Sequence, residues 1–272
     1  CSMSKRYGND SSKKSVKRFG NQIVSFSIDL SVKTALITGA TRGIGQAIAD
    51  EFIEAGAQVI LTGTSQSDID QLNSENENKA IKWLMADFST SDKIRFFIKK
   101  LENINSVDIC VNNAGINIIK PFNEVSNEEY ERLMSVNLSA PFSIVQCLIP
   151  NMEKQNYGRI VNIASIWSEI SKSGRSLYTS SKTGLVGFTR SLAVEYAAAN
   201  ILVNTVSPGF TRTELTAQSL SADEMKNLSE QIPLGRFAEP NEIAQTVLFL
   251  CSKMNTYITG QNIVVDGGFT IV

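Results

Sequence analysis

Short runs of aliphatic and β-branched residues recur along the chain. Between them lie longer stretches in which apolar positions repeat every three or four residues. The runs at 34–37 (TALI), 58–61 (QVIL), 81–85 (IKWLM), 107–112 (VDICVN), 159–163 (RIVNI), 201–204 (ILVN) and 262–265 (NIVV) predict seven strands. Helical periodicity fills the gaps, notably over 45–55, 128–149, 178–198 and 239–250, with Ile48, Phe52 and Ile53 on one face of the first. Strands alternating with helices imply parallel pairing through right-handed crossovers. The expected fold is α/β, a single doubly wound seven-stranded parallel sheet with helices on both faces, over residues 30–272. Such sheets bind ligands beyond the carboxyl ends of their strands, so chemistry is sought just after each run.

Residues 1–29 break this pattern. Lys5, Arg6, Lys13, Lys14, Lys17 and Arg18 lie among Ser, Asn and Gly with no apolar stretch of the kind a secretory signal carries, and the segment reads as a flexible basic N-terminal tail. Over the whole chain, 26 basic residues face 27 acidic ones, a balance that gives neither nucleic acid nor an anionic membrane a reason to bind. No uninterrupted run approaches the roughly 18 apolar residues of a membrane span. The four cysteines, Cys1, Cys110, Cys147 and Cys251, never form a C-x-x-C pair, so the expectation is a reducing, cytoplasmic setting without disulfide framework or zinc site. Histidine is absent, which excludes histidine triads, histidine-ligated metals and imidazole proton shuttles.

After the first predicted strand comes TGATRGIG at 38–45, contributing Gly39, Thr41, Arg42, Gly43, Ile44 and Gly45. Glycines let a backbone approach a pyrophosphate, and the helix that follows offers free N–H groups to it. The second strand ends in Thr62, Gly63, Thr64 and Ser65, without the acid that binds a ribose 2′-hydroxyl in NAD-specific sites. Arg42 could face a 2′-phosphate instead, so NADP is expected, with NAD possible. Asp68 and Asp70 follow soon after and read as helix-capping residues or as ribose ligands. Asp87, beside Phe88, could accept from an adenine amino group. Asn112, Asn113, Ala114 and Gly115 follow the fourth strand, either leaving room for a flat ring or tying neighbouring strand ends together. Tyr178 and Lys182 are four apart on a predicted helix and therefore share a face. A nearby ammonium, and the positive charge of an oxidised nicotinamide, would lower a tyrosine pKa that is otherwise near 10. Ser165, after the fifth strand, could hold a substrate oxygen against Tyr178. Asn137 sits inside an apolar helical stretch, where it could bind a water and pass protons towards Lys182, or be satisfied by backbone.

Together these motifs resemble the short-chain dehydrogenase/reductase family over about residues 30–272: TGATRGIG, Asp87, NNAG, Asn137, Ser165, YTSSK and Pro208–Gly209, in that order. The resemblance implies a Rossmann fold, Tyr178 as proton donor or acceptor, Ser165 positioning the carbonyl, Lys182 binding the nicotinamide ribose while tuning Tyr178, and Asn137 serving the relay. It places Pro208, Gly209 and Thr211 at the cofactor. Within the family the chain is most similar to 3-oxoacyl-carrier-protein reductase-like members, commonly tetramers, through its ending YITGQ…VDGG. Those members tend to carry basic residues that dock the acidic carrier where this chain has Gln155–Asn156 and Ala198–Ala199. The segment ending in Trp167, and Arg175, look closer to relatives acting on sugars or small alcohols. A substrate loop is expected over 210–232, mixing Phe210, Leu215 and Met225 with Arg212 and Glu214. The implied function is hydride transfer between a nicotinamide and a small-molecule carbonyl or alcohol, with 3-oxoacyl thioesters as one substrate class. A sugar, nucleotide-sugar or polyol dehydrogenase is the alternative, and a non-catalytic dinucleotide sensor the alternative of another class. The expected assembly is a homotetramer or homodimer.

Overall fold

The computed structural model describes residues 16–19, 22–25, 27–76, 80–104, 106–214, 216 and 221–272. Most of the expected basic tail, and Leu215 of the expected substrate loop, lie outside the described residues. Within that tail β1 (Val16–Phe19) and β2 (Gln22–Ser25) pair as an antiparallel ribbon.

The main sheet has seven strands: β3 (Thr34–Ile37), β4 (Gln58–Gly63), β5 (Ile81–Met85), β6 (Ile109–Asn112), β7 (Gly158–Ile163), β8 (Ile201–Pro208) and β9 (Asn262–Val265). Their order is β5-β4-β3-β6-β7-β8-β9 and every pair is parallel. This is the doubly wound Rossmann arrangement. The chain moves outward from β3 to β5, then returns to the other side of β3 at β6, so the switch point and its crevice fall between β3 and β6.

The central strands are buried on both faces, which is why they read as continuous apolar runs rather than alternating ones. On one face Ile48 and Phe52 of α1 (Gly43–Glu54) pack with Ile243 and Val247 of α8 (Pro240–Cys251) against Ile37, Val59 and Val111. On the other, Phe97 of α3 (Ser91–Leu101), Ile144 and Leu148 of α5 (Ala140–Gln155) and Leu192 of α6 (Ser176–Tyr196) cover Leu36, Cys110 and Ile160. Between β4 and β5 runs α2 (Gln66–Glu75).

Two stretches differ from the periodicity. The helix expected over 128–149 is divided into α4 (Asn127–Met134), a π-helical turn at Ser135–Ser139, and α5. Pro141 at the start of α5 has no N–H to give the carbonyl four residues back, and its ring crowds that carbonyl, so the turn before it widens. The expected substrate loop holds a helix, α7 (Ala222–Glu230), opened by a capping box between Ser221 and Glu224. Taken as one stretch, Asn127–Gln155 is long and apolar enough to cross a membrane. Asn137, Ser139 and Gln146 interrupt its apolar run, and Leu133, Ile144, Val145 and Met152 are buried within the fold.

Candidate active site

The glycine turn after β3 is fastened by bonds within the chain. Gly39 adopts φ +65° and donates from its N–H to Thr62 Oγ1 (3.0 Å) at the end of β4. Asn113, just past β6, donates from its side-chain amide to the carbonyls of Thr38 and Gly39, both at 2.9 Å. Thr38 Oγ1 in turn accepts from the N–H groups of Asn113 and Ala114 at 3.0 Å. A Cβ on Gly45 would overlap the Gly39 carbonyl oxygen and the Asn113 amide nitrogen, so only glycine allows this turn. Of the two roles open for NNAG, the tie is therefore present. Asn112 adds a second tie by donating to Asn162 Oδ1 on β7 at 2.8 Å. Thr41 stands over Gly63, where its methyl fills the space of a Cβ, and Thr64 is exposed at the end of β4.

A cavity of about 740 Å³ opens over the carboxyl ends of the strands. Arg42, Gly43, Ile44 and Gly45 line one end, Asn113 and Gly115 the middle, and Ser165, Tyr178 and Lys182 the other, with Pro208, Gly209 and Thr211 alongside. Helix α1 begins in this wall with no side-chain cap on its first turn and no acid there, leaving its N–H groups free for phosphate oxygens. Exposed Arg42 has no acidic partner among the described residues. A Cβ on Gly115 would lie 3.4 Å from Lys182 Nζ and 3.5 Å from Asn137 Oδ1, so its absence keeps the cavity floor open to both. The residues present fit a dinucleotide. Gly209 has its own constraint: a Cβ there would meet Asp266 Cα at 2.7 Å, where β8 closes onto the end of β9.

Other residues expected at the cofactor are not among those that line this cavity. Asp87 is engaged by Lys93 Nζ (2.7 Å) and the Ser89 N–H (2.8 Å). Partial burial works to raise its pKa, but these hydrogen bonds outweigh it and hold the carboxyl below its ordinary value. Phe88 is a core residue, packed edge-to-face on Phe97 with ring centroids 5.3 Å apart, and its side chain does not reach the cavity wall. Asp68 and Asp70 lie on α2, bonded to Ser67 and Gln66, and Ser65 caps that helix through the Asp68 N–H.

Ser165, Tyr178 and Lys182 come together as expected. Ser165 leaves β7 and opens the 3-10 turn Ile166–Ser168, whose Trp167 N–H donates to its Oγ at 3.3 Å. Tyr178 and Lys182 rise one turn apart on α6. Lys182 is buried and donates from Nζ to the Ile163 carbonyl (2.7 Å), with its ammonium 5.6 Å from the centre of the Tyr178 ring. The balance at the phenol is the reverse of the expected one. Burial raises the Tyr178 pKa, and the Ser165 hydrogen bond and the Arg175 charge recover only part of the rise. Burial also pulls Lys182 down to about 8. Asn137 belongs to the π-helical turn, where its amide donates to the Ile116 carbonyl (2.9 Å) and Ser181 Oγ (3.1 Å) and accepts from the Ile116 N–H (2.9 Å). Backbone thus satisfies most of this side chain.

Sequence reasoning missed the groups that hold these residues. The Ile163 carbonyl anchoring Lys182 carries no side-chain identity that could be read. Asn262 steadies the turn after Ser165 by donating to Glu169 Oε1 (2.6 Å) and accepting from Ser207 Oγ (2.7 Å), a contact across three strand ends with no local signature. Among the described residues no cluster of acids or cysteines could hold a metal ion.

The buried Lys182 charge carries a pH signature. Between pH 8 and its unfolded value near 10.5, the unfolded chain binds a proton that the folded chain has lost, so folding stability gains as pH rises through that window. Relative to Lys182→Met, wild-type stability should rise by up to about 3 kcal/mol from pH 7 to 10 in paired denaturant titrations. A constant difference would show that the ammonium is not desolvated.

A family profile described as Enoyl-(Acyl carrier protein) reductase matches residues 39–270. The chain belongs to the short-chain dehydrogenase/reductase family and is a nicotinamide-dependent oxidoreductase acting on C=O or CH–OH groups. It is 43% identical over 245 residues to the 3-oxoacyl-(acyl-carrier-protein) reductase FabG of Aquifex aeolicus, covering 89% of this chain and 98% of that one. It is 36% identical over 250 residues to the enzyme of the same name from Vibrio cholerae, covering 90% and 100%. Among solved structures, a gluconate 5-dehydrogenase from Burkholderia cenocepacia J2315, in complex with NADP and tartrate, superposes with a TM-score of 0.81 at 29% identity, over 90% of this chain and 97% of that one.

Proposed function

We propose that this protein reduces the ketone of 3-oxoacyl thioesters with NADPH, using Tyr178 as the proton donor, and that residues 30–272 carry the whole catalytic unit. The supporting observation is the convergence of Ser165, Tyr178 and Lys182 on one cavity with the glycine turn, in a chain 43% identical to a 3-oxoacyl reductase. Bound NADPH supplies the hydride. The Ser165 hydroxyl holds the substrate oxygen beside the phenol, and Tyr178 Oη gives that oxygen its proton. A phenol whose pKa is raised stays protonated at neutral pH, which suits an acid in the reductive direction. Lys182, anchored on the Ile163 carbonyl, binds the nicotinamide ribose and keeps a positive charge near the phenolate left behind. Asn137 holds the floor at Ile116 and completes the proton path to Lys182. Asp87, Asn113 and Thr211 border the dinucleotide, and Arg42 takes its 2′-phosphate.

NADPH oxidation measured with 3-oxoacyl thioesters, in parallel with keto-sugars and with NADH, tests this reading; turnover of keto-sugars alone would overturn the acyl assignment. Arg42→Ser should raise KM for NADPH by about 10-fold and leave that for NADH within twofold, as expected for loss of one exposed phosphate contact.

A specific observation favours a second reading, a sugar or polyol dehydrogenase. Gln155–Asn156 at the α5 terminus and the turn at Ala197–Ala199 are uncharged where an acidic carrier would dock, leaving Lys154 as the basic residue in the last turn of α5. The similar solved structure named above acts on gluconate. The cytoplasm and a homotetramer or homodimer complete the proposal. Exposed Phe142 on α5 and Val194 on α6 give a second copy apolar surface to cover. Light scattering of the purified chain would test the assembly.

A further inference from the structure

Arg175 takes no part in the reaction just described, and its position is costly. It is the N-cap of α6, one turn ahead of Tyr178, yet its side chain makes no capping bond. A cation at a helix N-terminus opposes the dipole, and the cap position favours Ser, Thr, Asp or Asn. The guanidinium is partly buried in the cavity wall, and the desolvation lowers its pKa. It lies 5.0 Å from the centre of the Trp167 ring and has no acidic partner among the described residues.

The local backbone is built to hold it there. Gly174 takes φ +77°, its carbonyl accepts from the Lys120 N–H (3.3 Å), and the Arg175 N–H donates to the Lys172 carbonyl (3.2 Å). Lys172 lines the same end of the cavity. Glu214, the acid on that wall among the described residues, adjoins Thr213, whose Cγ2 lies 3.4 Å from where a Cβ on Gly43 would sit, at the dinucleotide end.

We propose that Arg175, stacked on Trp167 beside Tyr178, receives a carboxylate of the substrate, so that oxo acids are reduced in preference to their neutral esters. A desolvated, unpaired guanidinium recovers its cost when an anion completes the pair, and its planar fork matches a carboxylate. The inference rests on the reading of Tyr178 as the acid in carbonyl reduction; between the two substrate readings it sides with the second, since a thioester has no free carboxylate for Arg175 and an oxidised sugar acid has one.

The test compares 3-oxobutanoate with its methyl ester in wild type, Arg175→Gln and Arg175→Lys. Wild type should favour the acid by about 10²-fold in kcat/KM. Arg175→Gln should narrow the acid-to-ester ratio to within about threefold, and Arg175→Lys should retain part of it. The ratio cancels any effect of the substitution on Tyr178 itself. A second readout is independent of turnover. In the NADP⁺ complex, 3-oxobutanoate should change Trp167 fluorescence saturably, and Arg175→Gln should abolish the change; Trp83 on distant β5 serves as the internal reference. Equal wild-type kcat/KM for acid and ester, with ester reduction lost in Tyr178→Phe, overturns the role of Arg175 while leaving the carbonyl-reductase reading standing. Wild type that reduces neither compound nor any 3-oxoacyl thioester overturns the reading beneath it. Should Arg175→Gln fail to fold, absence of a saturable Trp167 response in wild type would still overturn the proposal.

Discussion

Tyr178→Phe should lower kcat by about 10²- to 10⁴-fold, the usual worth of a positioned general acid, while the Kd for NADPH stays within a factor of two. The ring still fills its place on α6 and still lies under the Lys182 ammonium, so only the proton is removed. Because Tyr178 is partly buried and its pKa is raised, the loss should be flat from pH 6 to 8, where the native phenol is protonated throughout. Stopped-flow NADPH oxidation checks both statements. A variant within threefold of wild type would assign the proton to solvent or to another group.

Gly45→Ala should act on binding rather than on chemistry. The added methyl lands on the Gly39 carbonyl and the Asn113 amide, and neither can retreat without losing the bonds that join β3 to β6. Overpacking of this kind costs about 1–3 kcal/mol of stability. The displaced turn should also weaken NADPH binding by on the order of 10²-fold, since phosphate recognition depends on backbone N–H groups within a few tenths of an ångström. Calorimetry gives the affinity and thermal unfolding the stability; unchanged affinity would move the phosphate site away from this turn.

The sheet was legible because its strands are buried on both faces. TALI, IKWLM and NIVV mark β3, β5 and β9 at their observed limits, whereas β4, β7 and β8 extend beyond the apolar runs that announce them. The helix over 128–149 was harder, because apolar periodicity continues through Ser135–Ser139 while the hydrogen bonding does not. Asn137 stands out in sequence as a misfit in an apolar stretch, but its partner Ile116 contributes only backbone, which no sequence pattern displays. The convergence of Ser165, Tyr178 and Lys182 could be anticipated from strand ends and helix spacing. The sign of the pKa shift at Tyr178 could not. It depends on how much water burial removes, and in this structure that effect exceeds the help from Ser165 and Arg175.

The amide of Asn113 and the hydroxyl of Thr38 have a kinetic consequence. Their bonds run within the chain and draw nothing from the coenzyme, so the phosphate cradle is a rigid mould and little chain entropy is surrendered when the coenzyme docks. Arrival should then be governed by diffusion and charge rather than by a slow rearrangement, and the backbone amides of Asn113 and Ala114 should already resist deuterium uptake before any coenzyme is added.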